Sequence, residues 1–120
     1  VSGGVEAIVG AREDALYGPM LLVGSGGVLV ELLEDVSLAM LPLEDDEIAQ
    51  RIKGLKLGKL LAGYRGRPAA DEAALVKAAA ALGRFFLDHR EKIADIEINP
   101  LVAREAGRGV VALDIRVLWR

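Results

Sequence analysis

Apolar and polar positions alternate with a two-residue period at both ends of the chain and with a helical period in its middle. VEAIVGARE (5–13) reads as a strand, and DALYGP (14–19) follows as a turn with Gly18 and Pro19 as breakers. PMLLVGSGG (19–27) predicts a short buried strand running into a glycine loop. VLVELLEDVSLAMLPL (28–43) is apolar except at Glu34-Asp35, which predicts two strands or one long bent one. A helix competes there, because LVELLEDV also fits a helical period.

From Asp45 the period changes. In DDEIAQRIKGLKL, Ile48, Ile52 and Leu55 recur at helical spacing behind acidic residues suited to a first turn, and Gly54 and Gly58 limit that helix. LLAGYRGRP is a loop that can begin with one helical turn. Asp71 is then a good N-cap for the clearest helix, EAALVKAAAALGRFFLDHR. Leu75, Ala79, Leu82 and Phe86 form its apolar stripe, widened by Val76 and Phe85. Two strands close the chain, over about 95–104 and 109–118. Strands, two helices and a strand pair predict a single α+β domain over 1–120. Its sheet is mainly antiparallel or mixed, with the helices packed on one face.

The closing strands can be registered. AGRG (106–109) is turn chemistry, and a turn at Ala106-Gly107 sets Ile96 opposite Val117, Ile98 opposite Ile115, Pro100 opposite Leu113 and Val102 opposite Val111. All those pairs are apolar. The other face sets Glu97 opposite Arg116, Asn99 opposite Asp114 and Leu101 opposite Ala112. A slip of one residue would carry Asp114 to the apolar face, so patterning resists it, whereas a slip of two or a bulge would make Asn99 and Asp114 diagonal. Directly opposed residues have Cβ atoms roughly 4.5–5.5 Å apart, a separation at which two oxygen ligands can share a small cation. Magnesium takes oxygen ligands and few protein carboxylates, with phosphates and water completing its shell. Asn99 and Asp114, beside Glu97, suit that chemistry; a hydrogen bond between the two and a Glu97–Arg116 charge pair is the plainer alternative.

Composition narrows the function classes. The 120 residues are 52% hydrophobic and 28% charged, a globular balance with room for one core. The net charge is −3 and the basic residues are scattered, so no nucleic-acid footprint is expected. There is no cysteine, which removes disulfides, zinc–thiolate sites and thiol nucleophiles and fits a cytoplasmic protein. No apolar run reaches the length of about 18 residues expected of a spanning helix, and no charged n-region of a signal peptide opens the chain. A start already strand-like by the fourth residue suggests a piece of a longer polypeptide.

IEINPLV followed by GVVALDIRV resembles the end of the ATP-grasp domain of nucleoside-diphosphate-forming acyl-CoA synthetases. These include ADP-forming acetyl-CoA synthetase and the succinyl-CoA synthetase β subunit. The resemblance extends to G-V-E-A-I-V-G (4–10), D-A-L-Y-G-P, G-S-G-G-V-L-V-E and G-Y-R-G-R-P-A-A-D, with Ala15 departing from a position where the family often has Pro. It implies that Asn99 and Asp114 hold Mg2+ bound with ATP, and that the parent converts acid, CoA and ATP to acyl-CoA, ADP and phosphate through an acyl phosphate and a phosphohistidine. It also implies partners: an N-terminal ATP-grasp subdomain and CoA-binding and ligase domains, without which this segment should catalyse nothing. A silent acyl-CoA synthetase-like module fused to a lysine acetyltransferase is the alternative function.

The remaining candidates divide between chemistry and packing. Gly26 and Gly27, in GSGG (24–27), precede a strand rather than a helix, which disfavours P-loop and dinucleotide mechanisms. They are a tight turn needing positive φ, or else a contact for phosphate or the moving phosphohistidine segment. Glu6 and Glu31 recur in the family's motifs; a solvated strand face is the plain account of Glu6 and an active-site contact the other. Arg12 and Asp14 suit a loop salt bridge, and His89 a solvated helix end. Tyr64 and Arg65 read as a loop packed on the core, or else a contact for nucleotide or a partner domain, and Trp119 as a cover for apolar surface, as at a domain junction.

Overall fold

A computed structural model describes residues 4–27, 34–63 and 66–120. Six strands form one sheet: β1 (Val5–Asp14), β2 (Gly18–Ser25), β3 (Val36–Met40), β4 (Ile93–Ala103), β5 (Val110–Ala112) and β6 (Ile115–Trp119). Three helices separate β3 from β4: α1 (Asp45–Lys53), α2 (Lys56–Leu61) and α3 (Glu72–Asp88). The sheet runs β3-β2-β1-β4, and β5 and β6 both pair with β4. Every pairing is antiparallel.

The core lies between sheet and helices, as an α+β chain with one apolar sheet face requires. Ala7, Val9, Ala11, Leu21, Val23 and Ile96 from the sheet meet Ile48, Ile52, Leu57, Leu61, Leu75, Ala79 and Phe86 from the helices. Full burial of a side chain such as Ile52 or Leu75 stabilises the fold by about 1.5–3 kcal/mol. Asp71 caps α3 as expected, its Oδ1 accepting from the Ala74 N–H at 3.1 Å. Its Oδ2 also accepts from the Gly107 and Gly109 N–H groups at 3.1 and 2.7 Å, so one carboxylate ties the helix start to the β4–β5 turn.

Several expectations are corrected. Gly58 does not end a helix: it sits inside α2, where a Cβ would stand 2.5 Å from the Ile52 carbonyl oxygen. Glycine there allows α2 to pack closely against the end of α1. Phe85 does not widen the buried stripe; it is 42% exposed and stacks on His89 with ring centroids 4.2 Å apart. Trp119 is 65% exposed and so covers little of this chain's own apolar surface; a place at a domain junction is not contradicted. Asp14 makes no salt bridge with Arg12 but caps its own turn, accepting from the Leu16 and Tyr17 N–H groups at 2.8 and 2.9 Å. Of the 28–43 stretch only Val36–Met40 is strand among the described residues. Positions 28–33, with Glu31, and the Tyr64-Arg65 pair lie outside those residues.

Candidate metal and nucleotide site

The register read for the closing strands is the one observed. β4 and β6 pair Ile96 with Val117, Glu97 with Arg116 and Ile98 with Ile115, and β4 and β5 pair Leu101 with Ala112 and Val102 with Val111. Between the two ladders the Asn99 N–H donates to the Asp114 carbonyl at 3.0 Å and the Leu113 N–H to the Pro100 carbonyl at 3.1 Å. Asn99 therefore stands directly opposite Asp114.

One feature of β4 departs from simple alternation. Against β1 the register runs Val9–Ile98 and then Ala7–Leu101, so Asn99 and Pro100 together face Ile8. This bulge moves the core face of β4 from Ile96 to Leu101 and Ala103, and Val102 is buried outside the main cluster. Leu101 and Val102 thus exchange the faces expected of them. On β6, Ile115 and Val117 lie exposed beyond the helices despite facing apolar partners. Bulges often re-aim a side chain, and here the bulge contains Asn99 itself.

Glu97, Asn99, Asp114 and Arg116 line a cavity of about 240 Å³. No hydrogen bond joins the Asn99 amide to the Asp114 carboxylate among the described residues. Instead Asn99 Oδ1 accepts from the Gly27 N–H at 2.9 Å, and Asp114 Oδ2 lies 3.9 Å from Arg116 Nε. Arg116 is opposite Glu97 in register, but its ion pair is with Asp114. The Asp114 carboxylate is thus largely exposed, whereas Asn99 Oδ1 already holds one partly buried donor. Among the described residues no three acidic, His or Cys side chains gather as a complete metal cage. An amide oxygen and a carboxylate side by side, with the rest of a coordination shell left to phosphate and water, fit magnesium better than a metal needing a full protein cage.

Of the other expected residues, Gly27 touches this cavity's lining through Asn99. The Gly26 N–H donates to the Glu6 carbonyl at 2.9 Å, and Gly27 has φ +69°, the left-handed conformation that glycine tolerates. A Cβ on Gly27 would stand 2.8 Å from Glu6 Oε1. Both glycine amides are engaged within the chain in this structure, which leaves neither as a donor for an anion nest. Glu6 and Gly26 also line a second cavity of about 230 Å³ with Ser25 and Arg67.

Sequence reasoning missed Asp35, which is 7% exposed. Its carboxylate accepts from the Ser25 hydroxyl at 2.6 Å and from the Lys56 and Leu57 N–H groups at 2.8 Å each. Burial works to raise its pKa, yet these donors together hold it below the ordinary carboxylate value. Asp35 thereby joins the end of β2 to the N-terminus of α2, immediately behind the glycine turn. At the far end of β4, burial raises the Asp95 pKa against the opposing influence of Arg12.

Comparison with known proteins places this geometry in a family. The ATP-grasp domain family matches residues 1–118. A trans-feruloyl-CoA synthase from an unknown prokaryotic organism is 40% identical over 96% of this chain, which spans 16% of that protein. The β subunit of acetate–CoA ligase (ADP-forming) II from Pyrococcus furiosus is 31% identical over 98% of this chain, which spans 50% of that subunit. Among solved structures, the dinucleotide-forming acetyl-coenzyme A synthetase 1 of Ca. Korarchaeum cryptofilum, in complex with coenzyme A and Mg-AMPPCP, superposes with a TM-score of 0.91. It is 37% identical and covers all of this chain, which spans 55% of that one. The chain belongs to the ATP-grasp domain family, in the group formed by the ADP-forming acyl-CoA synthetases.

Proposed function

We propose that this chain is the C-terminal ATP-grasp subdomain of an ADP-forming acyl-CoA synthetase and supplies the magnesium-holding half of its nucleotide site. The parent would join an acid to CoA with ATP as the energy source, releasing ADP and phosphate. The observation that carries this reading is the direct opposition of Asn99 and Asp114 at one polar cavity, on a hairpin whose register is fixed on both sides. The reported relatives are acyl-CoA synthetases, which favours the ligase over a silent module fused to an acetyltransferase. Their names span feruloyl and acetyl groups, as expected if the acyl group is chosen outside this segment.

Asn99 Oδ1 and the Asp114 carboxylate would hold Mg2+, which when bound neutralises phosphate charge and orients the phosphates for in-line transfer. The hairpin contributes rigidity: both ligands project from paired backbone rather than from a loop, so their spacing is set before nucleotide arrives. Glu97 borders the same cavity, and Arg116 supplies it with a positive charge. Gly27 meets the cavity through its bond to Asn99, and Glu6 and Gly26 line the second cavity. In the intact parent, Asn99→Ala or Asp114→Ala should cut nucleotide-dependent turnover strongly while the circular dichroism spectrum stays unchanged. Wild-type-like turnover at limiting magnesium would refute the assignment.

A further inference from the structure

The GSGG turn has no role in that reading, yet it makes one contact that bears on the cation. Gly27 and Asn99 are distant in sequence, and the Gly27 N–H reaches Asn99 Oδ1 at 2.9 Å in a partly buried bond. A backbone N–H can only donate, so this bond decides which end of the Asn99 amide is the oxygen. It also holds Oδ1 in place, because Gly27 itself is gripped. The Gly26 N–H is tied to the Glu6 carbonyl, and a Cβ on Gly26 would stand 2.4 Å from the Ala7 carbonyl oxygen. Gly27 adopts φ +69°, and a Cβ added to it would meet the Glu6 carboxylate.

Resting on the proposed cation site, we infer that Gly27 is a positioning residue for it: its N–H occupies one lone pair of Asn99 Oδ1 and presents the other to a divalent cation. A carbonyl oxygen has two lone pairs, so the two partners need not compete. Hydrogen bonds to a metal ligand from outside the coordination shell typically change metal affinity 10–100-fold when removed. This gives the glycine turn a use other than cradling phosphate with its own amides, which are already donated. Position 27 also has two reasons to lack a side chain: the left-handed backbone and the Glu6 carboxylate where a Cβ would stand.

The test is a double-mutant cycle on Mn2+ affinity in the full-length parent, read by the electron paramagnetic resonance of free Mn2+ with a non-hydrolysable ATP analogue present. Gly27→Ala should weaken Mn2+ about tenfold, and Asn99→Ala by at least as much. The double variant should bind no more weakly than Asn99→Ala alone, since Gly27 acts only through that amide. Multiplying effects would overturn the inference, as would wild-type affinity in Gly27→Ala; either result leaves the Asn99–Asp114 site standing. Wild-type affinity in both Asn99→Ala and Asp114→Ala would overturn the site and the inference together. If Gly27→Ala does not fold, hydrogen exchange of the wild-type and Asn99→Ala proteins decides the matter. The Gly27 amide should exchange about tenfold faster without the Asn99 acceptor, and equal rates would overturn the inference.

Discussion

Asp35 and Asp114 are two aspartates beside strands of the same sheet, and their surroundings could hardly differ more. Asp35 is 7% exposed and its carboxylate accepts three hydrogen bonds, from Ser25, Lys56 and Leu57. The Asp114 side chain is 56% exposed and, among the described residues, has only the loose approach of Arg116 at 3.9 Å. A buried carboxylate must be satisfied by its own chain, because an unpaired one would cost several kcal/mol. A carboxylate left open beside an amide oxygen costs the fold little and remains free to bind something. The first aspartate serves the structure, and the second is available for chemistry.

Substitutions should separate these two roles. Asp35→Ala leaves the Ser25 hydroxyl and two α2 amides without their acceptor, and should lower stability by about 2–4 kcal/mol in urea unfolding. Asp114→Ala should change stability by less than about 0.5 kcal/mol in the same measurement. Equal losses would erase the distinction. Acid titration sharpens it. The folded pKa of Asp35 is held below the ordinary aspartate value, so its contribution is complete above the unfolded value and is lost as pH falls through the folded one. Wild type should therefore exceed Asp35→Asn in stability at neutral pH, and the gap should close as pH drops below about 4. A gap independent of pH would contradict the ionised state assigned to Asp35. The smallest effect is expected at Arg116, whose side chain is 80% exposed; Arg116→Gln should shift stability by no more than about 0.5 kcal/mol.

The hairpin was legible because local chemistry specifies it. The A-G-R-G turn fixes the start of the pairing, and a one-residue slip would turn Asp114 toward the apolar face. The Asp71 cap was legible for the same reason: the residue precedes an amphipathic run. The bulge at Asn99-Pro100 was not, because it is defined against β1, far earlier in the chain; Pro100 cannot donate to a ladder and signals an irregularity, but not that the core face changes there. Gly58 misled because glycine for close helix approach and glycine for helix termination look alike in sequence. Asp35 read as a polar break between apolar runs, since its partners come from the end of β2 and the start of α2. The Gly27–Asn99 bond joins two motifs that could each be picked out singly, but their contact exists only in three dimensions.

The central claim is that Asn99 and Asp114 act through a divalent cation rather than through the fold. Its most direct test is the magnesium dependence of turnover in the intact parent at saturating nucleotide, compared between wild type and Asp114→Ala. The variant should lose about 10²–10³-fold in turnover at limiting magnesium, with unfolding unchanged. Wild-type turnover with a wild-type magnesium requirement would contradict the account.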